Sequence, residues 1–569
     1  MRILRIGLWL LSFLFLTLLT ACAPVSTPAP PVLTVAPPLP AGTVAAQTAT
    51  IVPPTVALAG PTARATVTPL RASRHPAIQT PAWFGDVVLY EIFVRSFNDS
   101  NGDGIGDLKG ITLKLDYLKE LGVGAIWLTP IFASPSYHGY DISDYYQINP
   151  DFGTRQDLID LVQEAHKRNI KVLLDYVVGH TSDQHPFFKD AFGNPTSKYS
   201  DYYVWTNAAH TQYDSFAGVK EMPHLNQTNP ETAQYLIDMA RYWMTVTGNG
   251  DPRQGIDGYR SDYALGVPHE FWKQLRPALK ALNPNFVLLA EAWTTGALQI
   301  DPYYADEFDA TFDFPVYGDI EGNQDQVNDS TLLGVRNPAL VDGDLISESV
   351  LYPPGAERVV FINNHDTNRV MSEVKGDLAR AKLGALFLLT QSGTPMIYYG
   401  EEIGMSGVKA PAPDYDKTRR EPMDWYAAET GPGMTTWYKP ADRNNKPNDG
   451  ISVQEEQGKP DSLLAFYRQL AVLRNANPAL RTGSREAIQQ GSSKVYAYLR
   501  RDDQTAFVVM LNFDSQPATV TLDLGPTSLP DGQYKAVDVL TQKEYAVDGL
   551  TLKVELGAAQ GALLKLVSR

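Results

Sequence analysis

Cysteine is all but missing from this chain of 569 residues, where Cys22 is the only one. A single thiol makes neither an intrachain disulfide framework nor a thiolate metal cluster. Positive charge is also scarce: 48 Lys and Arg stand against 64 Asp and Glu, a formal net charge of −16. Nucleic-acid binding relies on Lys and Arg to neutralise phosphates, so no nucleic-acid partner is expected, whereas an uncharged ligand meets no such obstacle. The chain also lacks an apolar run of the ~20 residues needed to span a bilayer. Its best candidate, Ile6 to Leu19, is shorter.

That run is read as a targeting segment. Arg2 and Arg5 form a basic start, and Leu19-Thr20-Ala21-Cys22 places small residues before the cysteine. The pattern resembles a bacterial lipobox. The resemblance implies a lipoprotein signal peptide over residues 1–22 and acylation of Cys22. The mature protein would then be lipid-anchored to the outer face of a bacterial cell membrane or envelope, touching lipid only through that anchor. Residues 23–80 are Pro-, Ala- and Thr-rich with few charges and almost no aromatics. Such a composition cannot bury enough apolar surface to offset its ordering entropy, and its prolines favour an extended tether.

Beyond Trp83 the composition becomes that of a folded enzyme-sized body, and apolar runs alternate with amphipathic stretches. Strands are expected at Val87–Phe93, Ala125–Leu128, Lys171–Val178, Gly255–Arg260, Phe286–Ala290, Ala310–Phe314, Arg358–Asn363 and Pro395–Tyr399. Helices are expected between them, among them Ile111–Leu121, with Leu113, Tyr117, Leu118 and Leu121 on one face, and a closing helix at Ser462–Asn475. Near-continuous apolar strands separated by helices mean a parallel sheet covered on both faces. Eight such units predict an α/β fold, a (β/α)8 TIM barrel over residues 81–480. A polar and aromatic stretch at about 180–229 is too long for a plain loop and predicts an inserted domain after the third strand. Period-two alternation at Lys494–Leu499, Ala506–Phe513, Ala518–Leu524 and Leu552–Leu556 predicts a C-terminal antiparallel β-sandwich domain over 481–569.

Carboxylates stand just past three of the expected barrel strands: Asp262, Glu291 and Asp366. Catalytic groups of such barrels sit at the C-terminal strand ends, and cleavage of a sugar–sugar bond with retention needs two carboxyls ~5–5.5 Å apart. Arg260 lies two residues before Asp262, so both point to one side of a strand, and its charge is expected to depress the pKa of Asp262. Glu291, as the acid partner, needs its proton and a raised pKa. His138, His180 and His365 show no zinc-site spacing and are read as neutral hydrogen-bond partners of sugar hydroxyls. Tyr140, in a loop, is read as a stacking platform.

These segments resemble glycoside hydrolase family 13, the α-amylase superfamily, from Trp83 to the end of the chain. Asp175-Tyr176-Val177-Val178-Gly179-His180 is similar to the family's first motif, whose histidine contacts the sugar at the cleavage point. The resemblance implies that Asp262 is the nucleophile, with Arg260 beside it, and that Glu291 is the general acid/base. His365 and Asp366 match the pair that binds the 2- and 3-hydroxyls. His138-Gly139-Tyr140-Asp141 resembles the segment whose tyrosine stacks on the same sugar, which makes Asp141 a further substrate contact. Gly393 to Glu402 resembles the last barrel-strand signature, and Arg420-Glu421-Pro422-Met423-Asp424-Trp425 the segment after it. The implied partner is an α-glucan oligo- or polysaccharide, cut at α-1,4 bonds by double displacement. An exo-acting α-glucosidase, a neopullulanase or cyclomaltodextrinase, and a glucan transglycosylase share the same residues and stay open. A surface protein that binds polysaccharide without cutting it is the reading from another class.

The loop Asp99 to Asp107 carries oxygen donors at alternate positions around glycines, as a hard-cation loop does, although Gly110 stands where an EF-hand has its bidentate glutamate. A structural Ca2+ on Asp99, Asn101, Asp103, Asp107 and, as the resemblance implies, the Ile105 carbonyl is one reading; an ion-free polar turn is the other. The chain departs from the family pattern at three places. Gly179 replaces the asparagine before His180, so no second calcium is expected. Leu265-Gly266 stands where Lys-His is usual, and His224 replaces an aspartate.

Overall fold

The computed structural model describes residues 73–322, 329–489 and 492–568. Cys22, the expected signal peptide and the expected linker up to residue 72 lie outside the described residues. The linker was expected to run to residue 80, but its last part is packed chain. Ile78 donates its N–H to the Pro354 carbonyl, and Thr80 Oγ1 donates to the Asp309 carbonyl.

Eight parallel strands close into a barrel: β1 (Leu89–Ile92), β2 (Ala125–Leu128), β3 (Lys171–Tyr176), β4 (Gly258–Ser261), β5 (Val287–Ala290), β6 (Ala310–Phe312), β7 (Glu357–Val360) and β8 (Thr394–Tyr398). Each strand pairs with its chain neighbours, and β8 closes on β1. All eight expected strands are there; β2 has the expected bounds, and the ends of the others are shortened or shifted by a few residues. Side chains alternate between two apolar layers. Leu89, Trp127, Leu173, Val287, Leu289, Phe312, Val359 and Met396 fill the barrel interior. Tyr90, Ile126, Val172, Leu174, Tyr259, Leu288 and Val360 face the helices. This is the two-sided burial that makes such strands read as unbroken apolar runs.

Helices α1 (Leu108–Leu121), α2 (Arg155–Lys167), α3 (Pro230–Thr247), α4 (His269–Lys280), α5 (Leu340–Leu351), α6 (Leu378–Thr390) and α7 (Leu463–Ala476) surround the strands. Several of their starts carry hydrogen-bonding caps: Asp107 caps α1, Thr154 and Asp157 form a reciprocal box on α2, and Ser462 caps α7. In α1 the buried face is Leu108, Ile111, Leu115, Leu118 and Leu121, whereas Leu113 is 64% exposed, contrary to expectation. Leu113 lies two residues from both Ile111 and Leu115, a spacing that takes it off their face of the helix.

The segment after β3 forms the expected inserted domain around an aromatic core. Phe187 stacks on Tyr199, and Phe188 on Trp205. Isolated bridges, including His180 with His224 and Tyr203 with Leu225, tie its two ends together.

The C-terminal domain has eight antiparallel strands: β9 (Ser484–Ala487), β10 (Val495–Arg501), β11 (Ala506–Asn512), β12 (Ala518–Asp523), β13 (Tyr534–Asp538), β14 (Glu544–Asp548), β15 (Thr551–Leu556) and β16 (Gln560–Ser568). Their order is β9-β10-β11-β16-β13-β14-β15-β12. The sheet bends over itself, so that Val508 and Leu564 share a core with Leu522 and Val554. The opposite faces of β10, β11 and β16, with Tyr496, Val509 and Leu563, join the main core of the barrel. Arg500 and Arg474 are fully buried in this region and spend their guanidinium N–H groups on backbone carbonyls, including those of Thr390 and Gly393.

Candidate active site

The alternation that fills the barrel interior also places its charged rim. On β1, Leu89 points inward, so Glu91 does too; on β3, Leu173 carries Asp175 inward; on β4, Gly258 precedes Arg260 and Asp262. Ser261 pairs with Ala290 across β4 and β5. The next residues in register are Asp262 and Glu291, on adjacent strands that run ~4.8 Å apart.

Arg260 joins this rim into one cluster. Its Nη1 lies 3.0 and 3.1 Å from the two oxygens of Asp175 and 2.7 Å from Asp262 Oδ1. Its Nη2 is 2.5 Å from Glu291 Oε1. Two carboxylates bound to the two nitrogens of one planar fork lie within a few ångströms of each other. Arg260 is fully buried, with its guanidinium carbon 4.9 Å from the centre of the Trp127 ring. The second oxygen of Glu291 accepts the Tyr263 N–H at 2.8 Å.

Burial raises the pKa of Asp262 above the usual carboxylate range; Arg260 opposes the shift and Glu291 adds to it. This corrects the expectation of a depressed pKa. The arginine is divided among three carboxylates and does not outweigh desolvation at Asp262 or Asp175. Burial likewise pushes Asp175 up to about 7 against Arg260.

Asp366 follows β7 and is held differently. Its Oδ1 accepts from Arg420 Nη2 at 2.7 Å, and its Oδ2 lies 3.0 Å from His365 Nε2. Burial pushes its pKa up, but His365, Arg420 and Arg260 together hold it well below the usual range. His365 sits between carboxylates, with Nδ1 2.5 Å from Glu91 Oε1. Burial disfavours its charge, yet Asp366 and Glu91 raise its pKa to about 9. His365 is therefore an imidazolium at neutral pH and not the neutral ring expected. His138 and His180 are neutral, burial lowering each to about 4. His180 Nε2 donates to the Tyr140 carbonyl at 3.1 Å, which leaves its buried Nδ1 an acceptor without a protein partner.

The Tyr140 ring lies parallel to that of His365, tilted by 6° at 5.5 Å, and the Tyr140 hydroxyl donates to Asp175 at 3.1 Å. Asp141 is placed elsewhere. It is buried and accepts from the hydroxyls of Ser134 and Ser136, so it shapes the loop that presents His138 and Tyr140. A cleft of about 160 Å³ is lined by His138, Tyr140, His180, Asp262, Asp366 and Arg420, with Phe216 and Met222 from the inserted domain and Asp416. A second cavity, of about 520 Å³, is walled by Trp293, Phe314, Tyr317 and Arg336. Trp293 is two residues past Glu291, 40% exposed and stacked on Phe314 at 4.8 Å.

Sequence reasoning did not assign Glu91, Arg420, Asp416 or Phe216 to the site. Glu91 did carry a signal, a lone charge inside an otherwise apolar strand. Arg420 stands in a recognised segment, but nothing in its spacing places it on Asp366.

The loop Asp99–Asp107 lies before α1. Asp99 accepts the N–H groups of Asn101, Gly102 and Gly104, and Asp107 those of Ser100 and Gly110. Asn101 accepts from Asp103 N and Asp103 from Ile105 N. Among the described residues no three His, Cys, Asp or Glu side chains are grouped to hold a metal by themselves. An ion here would draw on Asn101 and a backbone carbonyl as well. The donor set is all oxygen, which fits a hard cation.

Residues 91–483 match the family model "Alpha amylase, catalytic domain", and residues 485–562 match "Maltogenic Amylase, C-terminal domain". The chain is 35% identical over 445 residues to Alpha-amylase 3 of Dictyoglomus thermophilum, covering 75% of this chain and 85% of that protein. It is 33% identical over 525 residues to Neopullulanase 2 of Thermoactinomyces vulgaris, covering 86% and 79%. The crystal structure of the α-amylase from H. orenii superposes with a TM-score of 0.71 at 34% identity, covering 84% of this chain and 99% of that one.

Proposed function

Because the chain belongs to the α-amylase family of glycoside hydrolases, we propose that it cleaves α-1,4-glucosidic bonds of starch-like chains or maltodextrins, with retention, through a glycosyl-enzyme intermediate. The observation that carries this reading is the Arg260 fork, which holds Asp262 and Glu291 side by side on adjacent strands. Such closeness suits the ~5–5.5 Å of a retaining pair.

In the first step Asp262 attacks the anomeric carbon while Glu291 gives its proton to the departing glucosidic oxygen. In the second, Glu291 takes a proton from water, the water oxygen attacks the same carbon, and Asp262 leaves. Asp366, kept ionised by His365 and Arg420, accepts hydrogen bonds from ring hydroxyls, bonds that strengthen as positive charge grows on the sugar. Tyr140 offers its ring face to that sugar, and His180 Nδ1 a further acceptor.

A chain substrate is supported by the cleft lined by Asp262 and Asp366 together with the larger cavity walled by Trp293, two residues past Glu291 in the chain. A structural Ca2+ held by Asp99, Asn101, Asp103, Asp107 and the Ile105 carbonyl belongs to the same reading, supported by the all-oxygen donor set. So does a lipid-anchored location through Cys22, supported by the sequence alone.

Digestion of soluble starch, pullulan, cyclomaltodextrin and maltoheptaose, followed by product chromatography, tests the proposal. Short maltodextrins from starch and maltoheptaose are expected. Glucose as the sole early product, or products longer than the substrate, would replace it with an exo-acting or transferring enzyme.

A further inference from the structure

The residue after the proposed nucleophile adopts a backbone conformation that a tyrosine seldom takes. Tyr263 has φ 45° and ψ 50°, in the left-handed region. In a non-glycine residue this conformation persists only where the surroundings over-determine it. Here the turn aims the Tyr263 N–H at Glu291 Oε2, 2.8 Å away.

The surroundings of the ring explain how the conformation is held. The ring lies directly over Gly266, where an added Cβ would come within 2.0 Å of Tyr263 Cε1. Phe216 meets it edge-on at 5.0 Å, and the His224 ring lies 6.5 Å away at 22°. A Cβ on Gly179 would touch it at 3.8 Å. Gly179, His224 and Gly266 are the three places where the chain departs from its family's pattern, and all three border this one ring.

We propose that Tyr263 is a positioning residue for the acid: its ring, seated in the Gly179–His224–Gly266 nest, locks the left-handed turn that points its N–H at Glu291 Oε2. The inference rests on Glu291 being the general acid. With Oε1 accepting from Arg260 Nη2 and Oε2 from the Tyr263 N–H, the carboxyl plane of Glu291 is fixed from both of its oxygens, which sets the orientation in which it meets the leaving group. Without that N–H the carboxyl is held through Oε1 alone and turns away from this orientation, and delivery of its proton to the leaving group becomes inefficient.

The test uses four variants of the full chain and two substrates. Asn tolerates the left-handed region and a β-branched residue does not, so Tyr263→Asn and Tyr263→Val separate the backbone from the ring. Tyr263→Phe keeps the ring, and Gly266→Ala disturbs the nest from the other side if Tyr263→Val fails to fold. Maltoheptaose needs protonation of its leaving group; 2,4-dinitrophenyl α-maltoside does not. On maltoheptaose kcat is expected to fall ~10-fold or more in Tyr263→Val and Gly266→Ala, within the ~10²–10⁴-fold worth of general acid catalysis. Tyr263→Asn should stand ~10-fold above Tyr263→Val, Tyr263→Phe should stand above both, and on the dinitrophenyl substrate the losses should shrink to about threefold. Equal losses on both substrates, or equal activity of the Asn and Val variants, would overturn the proposal. Glu291→Ala serves as the separate control. If the first-turnover burst of dinitrophenolate, which needs neither the acid of the first step nor the base of the second, is not retained in that variant, the assignment of the acid has failed, independently of Tyr263.

Discussion

Glu91 and His365, 274 residues apart in the chain, meet at the top of the barrel with Oε1 2.5 Å from Nδ1. Together with Asp366 on the other ring nitrogen, this contact raises His365 to about 9 against its burial. A group whose folded pKa is raised stabilises the protein fully below its unfolded value, ~6.5, and loses that contribution as pH rises through about 9. Melting temperature is therefore expected to fall between about pH 7 and 9, and kcat/KM to fall over the same alkaline limb as Asp366 loses its cationic neighbour. In Glu91→Gln both limbs should move down by ~1 pH unit or more. A limb that stays in place in the variant would remove Glu91 from this role.

Asp262→Asn keeps the shape of the side chain and removes the proposed nucleophile. Activity on maltoheptaose is expected to drop by ~10⁴-fold or more, with circular dichroism unchanged. A drop of only a few fold would favour a polysaccharide-binding protein whose hydrolysis comes from elsewhere.

Arg260 is the only cation in contact with Asp175, Asp262 and Glu291 together among the described residues. Removing one partner from such a buried cluster leaves uncompensated charge, at a cost of about 3–5 kcal/mol. Urea unfolding of Arg260→Met at pH 7 should show a loss of that order, partly recovered near pH 5, where buried carboxyls take up protons. Arg260→Lys should recover some stability and little activity, since an ammonium cannot serve Asp262 and Glu291 as a fork.

The barrel was legible because its strands are buried on both faces, which writes them as apolar runs, and because Asp262, Glu291 and Asp366 break those runs at one end. The C-terminal sheet was half legible. β12 and β15 alternate cleanly and β10 and β11 read as apolar runs buried on both faces, but β13 and β14 are short, β9 is mostly exposed, and β16 mixes Gly561 and Ala562 with its apolar residues. The carboxylates of the site were readable, but their charge states were not. The pKa of Asp262 depends on how one guanidinium is shared, and that of His365 on Glu91 at the far end of the sequence. Asp141 shows the converse error. A residue beside a substrate-facing tyrosine was expected to face substrate too, and its side chain instead closes on Ser134 and Ser136.

The Ca2+ proposed for the loop before α1 predicts a calcium-dependent stability. With EDTA the melting temperature should fall, and Ca2+ should restore it; an ion at 100 times its Kd contributes about 2.7 kcal/mol. Asp99→Ala should abolish the response. A wild-type protein whose melting ignores both EDTA and Ca2+ would leave the loop an ion-free turn, with Asp99 and Asp107 serving only its backbone.

The most direct test of the central claim is covalent trapping. Incubation with 5-fluoro-α-maltosyl fluoride, which slows breakdown of the intermediate more than its formation, should add one fluoroglycosyl group to the protein. Peptide mass spectrometry is expected to place it on Asp262, and the modification should be absent in Asp262→Asn. Label on another carboxylate, or maltodextrin hydrolysis that releases the inverted β-anomer without any labelled peptide, would contradict the account.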